Sequence, residues 1–254
     1  MSAGRPPACG TGPGVRRGSG APAKWSPGAR KSTCFIGVIS DRAQAVSTTV
    51  SGTARELVPD TTSLAALRRA AAGCTACPLW RCGTQTVFGE GRKRAALMLV
   101  GEQPGDKEDL AGKPFVGPAG RLLDRALEEA GIAREDAYVT NAVKHFKWKP
   151  KGKRRIHDKP NEREIVACSP WLEAELDAIA PEIVVAMGAT ASRALLGKGF
   201  RLTHHRGELV EWDREPLITA TIHPSAVLRG PKERREEGYR GLVADLAMAA
   251  RASN

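Results

Sequence analysis

Four short apolar runs alternate with helix-like segments from residue 61 onward, and this alternation restricts the fold more than any other feature. Each run has five or six residues, which is typical of a strand buried on both faces. Strands that alternate with helices favour a parallel sheet covered on both sides. The sequence therefore predicts an α/β protein with three layers, α/β/α, around a central four-stranded parallel sheet. The predicted strands are 95–100, 137–141, 183–187 and 217–222.

Helix signals fill the intervals between these runs. Residues 60–63, Asp-Thr-Thr-Ser, offer N-caps, and Asn161 with Glu164 forms a capping-box pattern. Apolar residues at helical spacing follow Pro118, which suits a first helical turn. The predicted helices are 64–72, 118–130, 162–179, 188–196 and 232–250.

The chain divides by composition near residue 60. Residues 1–60 are rich in Gly, Pro, Ser, Ala and Arg and lack apolar periodicity, which predicts a disordered arm or an over-extended gene start. Residues 61–254 are predicted to form one domain and, by expectation, a monomer. No apolar run approaches the ~20 residues that span a bilayer, and no signal peptide is evident, so a cytoplasmic location is expected. A net charge of +11 favours a polyanionic partner, nucleic acid above all.

Most of that positive charge lies in one segment, residues 144–163. It carries nine Lys and Arg against two acidic residues, whereas the rest of the chain from residue 61 has 22 basic and 23 acidic residues. Two prolines and a glycine predict a loop and not a helix. Its interleaved aromatic residues suit contact with phosphates and bases, although a merely solvated basic loop remains an alternative. The candidate phosphate-binding residues in it are Lys153, Arg154 and Arg155.

Polar residues follow the predicted strands, whose carboxyl ends meet at one edge of a parallel sheet and define the usual site there. Glu102 and Gln103 follow the first strand, between Gly101 and Gly105, which let the backbone approach a ligand closely. Asn141 ends the second strand, and its amide can donate and accept at once, as reading a base edge requires. Each of these residues could also be an ordinary turn residue.

Further candidates come from the last strand end and from a loop before the 118–130 helix. His223 is held extended by Pro224 and could donate to a carbonyl oxygen of a ligand, or cap the following turn. Ser225 and Arg229 suit a phosphate. Phe115 could stack on a flat ring, or belong to the core.

Cys74 and Cys77 form a CxxC pattern, and Cys168 lies near the start of the helix after the basic segment. In a cytosolic protein these residues suggest an iron–sulfur cluster or a structural zinc, with His145 or Cys82 as the fourth ligand. Spacing alone does not choose between the two metals, and a CxxC without metal is a further alternative.

The motifs VFGEG (87–91), GEQPG (101–105), AGKPFVGPAG (111–120), VTNAVK (139–144) and HPSAVLRG (223–230) together resemble the uracil-DNA glycosylase superfamily, in particular its iron–sulfur family 4 branch. The resemblance covers about residues 64–249. Two departures, His145 where family 4 usually has cysteine and the inserted KRRIH at 153–157, resemble the X branch, UdgX, whose members become covalently bound to uracil-containing DNA.

The resemblance implies a role for each matched residue. Cys74, Cys77, His145 and Cys168 would hold a 4Fe–4S cluster. Phe115 would stack on a flipped-out uracil, Asn141 would read its edge, and His223 would contact the base. Glu102 and Gln103 would lie at the sugar, and His157 would be the nucleophile.

These roles imply an enzyme of DNA repair that excises uracil, preferably from single-stranded DNA, and then remains linked through His157 to C1′ of the abasic sugar. A conventional glycosylase with water as the nucleophile is the alternative. A third alternative is not an enzyme: a module stabilised by a bound metal that binds nucleic acid without catalysis. The sequence does not reveal a redox duty for the cluster.

Overall fold

The computed structural model describes residues 52–212 and 214–253, in which a mixed six-stranded sheet is flanked by helices. Most of the predicted disordered arm, residues 1–51, lies outside the described residues. The described part of that arm includes a 3-10 helix, Ala54–Leu57, which packs on the fourth α-helix and buries Ala54 completely. None of the described helices combines the length and the apolar character needed to cross a membrane.

The strands of the main sheet run in the order β1-β3-β2-β6-β8-β7, and β4 and β5 form a separate hairpin. The central strands β3, β2, β6 and β8 are mutually parallel, as predicted, and short antiparallel strands that the sequence analysis missed close both edges. The strands are β1 Glu90–Gly91, β2 Leu97–Gly101, β3 Ala137–Asn141, β4 Trp148–Lys151, β5 Arg154–His157, β6 Ile183–Met187, β7 Leu209–Val210 and β8 Leu217–Thr221.

All five predicted helices are present, with bounds within two residues of those expected. Ser63 caps the first through the Ala66 N–H, and Asn161 with Glu164 forms the predicted capping box. Three short helices of four to six residues were not predicted, because each has fewer than two turns and so too few residues to show a repeating apolar pattern. The helices are α1 Leu64–Ala71, α2 Asp106–Ala111, α3 Pro118–Glu129, α4 Glu162–Ile179, α5 Gly188–Leu196, α6 Leu202–His205, α7 Pro224–Arg229 and α8 Lys232–Ala252.

The two faces of the sheet bury alternate side chains of the same strand. Leu97 and Leu99 of β2 join the core beneath α3 and α8, whereas Met98 and Val100 join the core beneath α4 and α5. Every residue of β2, β3 and β6 is buried, which explains why these strands appear in the sequence as unbroken apolar runs. This is the three-layer arrangement that the sequence predicts.

The basic segment forms a β-hairpin and not an irregular loop. Trp148 pairs with His157 and Lys151 with Arg154, so that Gly152, at φ +60°, and Lys153 make the turn. Glycine accepts this positive φ at low cost. The sequence analysis missed the hairpin because it lies outside the main sheet and one of its strand residues is Pro150, which usually marks a strand as an edge or excludes it.

Candidate active site

A cavity of about 470 Å³ opens at the carboxyl edge of the parallel strands. The loop after β2, the ends of β3, β6 and β8, the first turn of α7 and the end of the hairpin all contribute to its wall. Parallel strands place their carboxyl ends together, so residues distant in sequence meet here. The predicted residues that line the cavity are Glu102, Gln103, Gly105, Phe115, Asn141, His157, His223, Ser225 and Arg229.

Three of these side chains converge on the backbone of Gly101. A Cβ atom at this glycine would lie 2.3 Å from Asn141 Oδ1, 2.8 Å from Phe115 Cζ and 3.4 Å from His223 Nε2. Any larger residue would therefore displace the amide and the ring. Glycine at this strand end leaves the room in which an amide, an aromatic ring and an imidazole surround one small volume.

Asn141 presents an unused hydrogen-bond donor to this volume. Its side chain is 2% exposed, and within the described part of the chain Nδ2 has no hydrogen-bond partner. A buried amide donor without a partner is costly, by about 1–3 kcal/mol, unless a ligand supplies an acceptor. Asn141 therefore points to a ligand with an acceptor atom, such as the carbonyl oxygen of a base.

The Ser225 residue fixes the tautomer of His223. The Ser225 backbone N–H donates to His223 Nδ1 at 3.1 Å, and its hydroxyl oxygen lies 2.8 Å from the same nitrogen. A neutral imidazole whose Nδ1 accepts must carry its proton on Nε2, which is the atom nearest Gly101. Burial lowers the pKa of His223 to about 4, and Arg229 and His157 act in the same direction while Glu102 opposes them. His223 is thus a neutral Nε2–H donor at neutral pH.

Glu102 contacts both an element of the sheet edge and the hairpin. Its Oε1 lies 3.1 Å from His157 Nε2, and its Oε2 accepts a hydrogen bond from the Thr190 hydroxyl at the start of α5. Burial opposes its ionisation, but the hydrogen bonds from His157 and Thr190 outweigh burial, so that the pKa of Glu102 falls below its ordinary value. The carboxylate is therefore ionised near neutral pH, next to a side chain that can give it a proton.

Phe115 stands in the cavity wall on a tightly constrained loop. Its φ is +57°, and a Cβ at Gly120 would lie 1.5 Å from its carbonyl oxygen, so only glycine allows α3 to start so close to the loop. Its ring lies 6.1 Å from that of His223 at an interplanar angle of 29°. Glu108, buried in α2, accepts a hydrogen bond from the Gly105 backbone N–H in the loop after β2.

The hairpin is pinned at its base. The Gln103 amide donates to the backbone carbonyls of Lys147 and Asp158, both at 3.1 Å, and accepts from the Lys147 N–H at 3.3 Å. Although Gln103 lines the cavity, its polar atoms hold the two hairpin strands at the level of His157. The amide of Gln103 is thus engaged with this backbone.

Arg155 holds the hairpin to α2. Its guanidinium donates to Asp106 and Asp109, each at 2.6 Å, and lies over the rings of Phe146 and Trp148. Because Asp109 is completely buried, this ion pair is structural, and Arg155 does not line the cavity. Lys153 and Arg154 are exposed at the tip of the hairpin and also lie outside the cavity wall.

Three buried thiols lie close together. Two belong to the segment before the 3-10 helix Pro78–Arg81, and the third belongs to α4. Cys74, Cys77 and Cys168 share one apolar cluster, and each is less than a tenth exposed. The Trp171 Nε1–H donates to Cys74 Sγ and the Lys144 backbone N–H to Cys168 Sγ, both at 3.2 Å. Burial raises the pKa of Cys77 to about 11 and that of Cys168 to about 12. A bound cation would stabilise their thiolates.

His145, the predicted fourth ligand, is buried, and burial lowers its pKa to about 4, so its lone pairs are available. A Cβ at Gly83 would lie 3.5 Å from its ring, and Asp109 is close enough to act on its charge. Across residues 52–212 and 214–253, no group of three or more His, Cys, Asp or Glu side chains closes around a position for a metal ion. The three buried thiols, two of which accept N–H hydrogen bonds at sulfur, fit the chemistry of an iron–sulfur ligand set.

Several residues of the site were missed by sequence reasoning. Thr190, which bonds Glu102, and Lys159, which lines the cavity, carry no motif of their own. The strand-end argument pointed to Gly188 but not to the residue two positions further on. Asp106, Glu108 and Asp109 lie on a helix too short to be predicted, so their carboxylates could not be assigned to the site.

The fold and this site define a protein with a cavity at the carboxyl edge of a parallel sheet, into which an amide, an imidazole and a carboxylate project. Residues 88–247 match the sequence model of the uracil DNA glycosylase superfamily. The chain therefore belongs to the uracil-DNA glycosylase superfamily.

Three relatives within the superfamily are similar over most of their length. A type-4 uracil-DNA glycosylase from Thermotoga maritima is 42% identical over 157 residues, which are 61% of this chain and 78% of the relative. A type-4 uracil-DNA glycosylase from Sulfurisphaera tokodaii is 37% identical over 188 residues, 70% of this chain and 82% of the relative. A type-5 uracil-DNA glycosylase from Pyrobaculum aerophilum is 31% identical over 153 residues, 53% of this chain and 63% of the relative.

Proposed function

We propose that this protein cleaves the N-glycosidic bond of uracil in DNA. The observation that carries the proposal is the meeting, in one cavity, of the unpartnered Asn141 amide donor, the neutral His223 Nε2–H donor and the ionised Glu102 carboxylate. These three groups suit a carbonyl-bearing base and the sugar to which it is attached. The relatives that carry the name type-4 uracil-DNA glycosylase support the same reaction.

The base is held by three contacts. Asn141 donates to a carbonyl oxygen of uracil, Phe115 covers one face of the ring, and His223 donates through Nε2–H to the carbonyl on which negative charge develops as the base leaves. Preformed donors at a developing charge lower the barrier because they need not reorganise during the reaction. A target base inside a duplex must first leave the stack, which makes single-stranded DNA the preferred substrate.

Glu102 stabilises the sugar. When the bond between C1′ and N1 breaks, its electron pair leaves with uracil and positive charge remains on the deoxyribose. The Glu102 carboxylate, kept ionised by His157 and Thr190, opposes this charge. Its Oε1 also lies 3.1 Å from Nε2 of His157. Among the described residues, His157 is the only histidine of the hairpin that lines the cavity.

We assign His157 as the nucleophile that completes the reaction. After uracil has left, the neutral His157 ring, in the tautomer that holds its proton on Nδ1, donates its Nε2 electron pair to C1′ and forms a nitrogen–carbon bond. Atoms and charge balance, because the alkylated ring loses its Nδ1 proton to the uracil anion, which is released as neutral uracil. The bond has no good leaving route, so the protein remains attached to the abasic sugar after one turnover. Support comes from the Glu102 contact and from the Gln103 clamp, which holds His157 at the cavity.

A turnover glycosylase is the second candidate, and the type-4 relatives favour it. In that reaction Glu102 takes a proton from water, water attacks C1′, and His157 only contacts the DNA. The abasic product then dissociates and the protein acts again. Both candidates release free uracil, so the fate of the sugar separates them.

We also propose that Cys74, Cys77, Cys168 and His145 hold a 4Fe–4S cluster. The group would join the chain before β1 to α4 and so fix the core next to Asn141, a structural duty that needs no redox change. The buried thiols and the N–H donors to their sulfur atoms support this ligand set. Purified protein should be brown and contain iron and acid-labile sulfide, whereas a colourless protein with stoichiometric zinc would contradict the assignment.

The decisive experiment follows both products. The protein is incubated with a single-stranded oligonucleotide that contains one deoxyuridine, and the mixture is analysed by denaturing gel and by mass spectrometry. We expect free uracil and a protein–DNA adduct that survives SDS. His157→Ser should keep uracil release but give a free abasic strand, while His205→Ser, a matched change at an exposed histidine outside the cavity, should still form the adduct.

Two outcomes would overturn parts of the proposal. An SDS-resistant adduct that persists in His157→Ser refutes the nucleophile and leaves excision intact. If the wild-type protein binds the oligonucleotide but releases no uracil, excision itself is wrong, and a purely nucleic-acid-binding role replaces it.

A further inference from the structure

A second cavity, of about 500 Å³, lies beside the active-site cavity between the start of α4 and the helix α5. The two cavities share Lys159 and Thr190 in their walls. Thr190 is the residue whose hydroxyl donates to Glu102, so the second cavity begins directly behind the group assigned to the sugar. A strand whose deoxyuridine fills the first cavity therefore has a neighbouring nucleotide within reach of the second.

The charges of the second cavity suit a phosphodiester. Lys159 and Arg193 are exposed and form no ion pair with any carboxylate in the described part of the chain. The two carboxylates in its wall are already paired, Glu162 with Lys198 and Glu173 with Arg55. The cavity thus offers two uncompensated cations, one of which stands at the boundary with the active site.

The remaining wall is apolar and open. Val166 is 45% exposed although it lies on a helix whose other apolar residues are mostly buried, and Ile165, Ala194 and Pro160 continue the same surface. Sites for single-stranded nucleic acid combine cations that follow the backbone with side chains, usually aromatic, on which bases rest, and aliphatic side chains take that place here. An exposed apolar patch bordered by two free cations has this character.

We propose that the second cavity is a subsite for the nucleotide adjacent to the target uridine in single-stranded DNA. The phosphate that links the two nucleotides lies between Lys159 and Arg193, and the neighbouring base rests on Val166 and Ala194. This inference rests on the proposed function, because it takes the strand in the active site to carry uracil. It gives the protein a reason to prefer strands over isolated deoxyuridine nucleotides.

The test uses oligonucleotides of increasing length and single-turnover uracil release by the full chain. Flanking nucleotides are removed one at a time from the 5′ side or the 3′ side of the deoxyuridine. In the wild-type protein, loss of the nucleotide on one of the two sides should raise the half-saturating protein concentration severalfold, and loss on the other side should matter less. In Arg193→Ala the same removal should have little further effect, because the subsite is already impaired.

Salt dependence supplies a second readout. A phosphate contact on a single strand contributes ~0.7 to the slope of log affinity against log salt, or about 2.6-fold for a fourfold rise in salt. Arg193→Ala should lose about one such contact, and Lys159→Ala about one more. Arg251→Ala removes an exposed arginine from the last turn of α8, outside both cavities, and should leave the slope and the length dependence unchanged.

The outcomes separate the two levels of inference. If the wild-type protein releases uracil and Arg193→Ala shows the same length dependence and salt slope, the subsite is wrong and the proposed function stands. If the wild-type protein releases no uracil from any strand, the proposed function fails. Equal losses in Arg193→Ala and Arg251→Ala would mean that only net charge matters, which also refutes the subsite.

Discussion

The two walls of the active-site cavity are built in different ways. One wall, which we call the sheet wall, consists of Asn141 and His223 at the ends of buried parallel strands. The other, the hairpin wall, carries His157 on β5, outside the main sheet, with its side chain 41% exposed. The sheet wall is fixed by backbone pairing within the core, whereas the hairpin wall is held by side-chain contacts from Gln103 and Arg155.

This difference assigns the two parts of the proposed reaction, base recognition and attack on the sugar, to two different structural elements. Base recognition needs donors fixed to within a fraction of an ångström, and strands buried on both faces supply such precision. The proposed nucleophile, His157, lies on a hairpin outside the main sheet. Glu102 joins the two walls, since it contacts His157 on one side and Thr190 at the start of α5 on the other.

The largest effect is expected where the walls meet. Glu102→Gln keeps the size of the side chain but removes the charge that faces the sugar, so uracil release should slow by ~10²–10³-fold, the usual cost of one preorganised electrostatic contact. Adduct formation should slow by the same factor, since both follow bond cleavage. Single-turnover release of uracil and the SDS-resistant band, measured in one time course, check this. A loss confined to the adduct would mean that Glu102 serves only His157.

Breaking the clamp should affect the hairpin wall alone. Gln103→Ala removes the hydrogen bonds to Lys147 and Asp158 and lets His157 move, which should slow adduct formation by about 10–10²-fold, because a displacement of ~1 Å has this cost. Uracil release should change by much less. Gln85→Ala, which removes a glutamine that bonds the backbone of α2 and not the hairpin, is the matched control. Equal losses of release and adduct would show that the two walls are not independent.

The tip of the hairpin should contribute to binding and not to chemistry. Lys153 and Arg154 are exposed and form no ion pair among the described residues, whereas Lys149 is paired with Asp158 at 3.0 Å. The double change Lys153→Ala and Arg154→Ala should lower the salt slope of DNA binding by ~0.7 per lost phosphate contact, and weaken binding severalfold at low salt. Lys149→Ala should change the slope less. Filter binding of an uncleavable strand at several salt concentrations decides between these outcomes.

The smallest expected effect is the absence of a titration in the sheet wall. His223 has a pKa of about 4, below the ordinary histidine value, and the pKa of Glu102 is also lowered, so both groups keep their active protonation states from pH 8 down to about 5. The NMR signals of the His223 ring in the wild-type protein, assigned by comparison with His223→Gln, should therefore show no titration over this range. A His223 ring signal that shifts with a midpoint between pH 5.5 and 7 would show that His223 becomes protonated there.

The same lowered pKa has a consequence for stability. An unfolded histidine takes up a proton near pH 6.5, whereas the folded protein resists protonation of His223 until about pH 4. The contribution of His223 to folding stability is therefore fully present above pH 6.5 and is lost as the pH falls towards 4. His223→Gln should be less sensitive to pH in this window, as thermal unfolding measurements at pH 7 and pH 5 would detect.

The sequence by itself determined the layers and most of the site. The four parallel strands, the five long helices and the carboxyl-edge positions of Glu102, Asn141 and His223 all follow from local patterns, because hydrophobic periodicity and caps depend on neighbouring residues. Parallel pairing then forces the strand ends together. The resemblance to the superfamily rested on these same residues, and the match of residues 88–247 confirms it.

Only the tertiary structure decided which polar groups are paired with other residues and which remain available to a ligand. Nothing local to Arg155 reveals that Asp106 and Asp109 neutralise it, nor that the amide of Gln103 binds the hairpin backbone, because these partners lie more than 40 residues apart. The same is true of Thr190 beside Glu102. Hydrogen bonds and ion pairs between distant segments depend on how the layers pack, and periodicity along the chain carries no information about them.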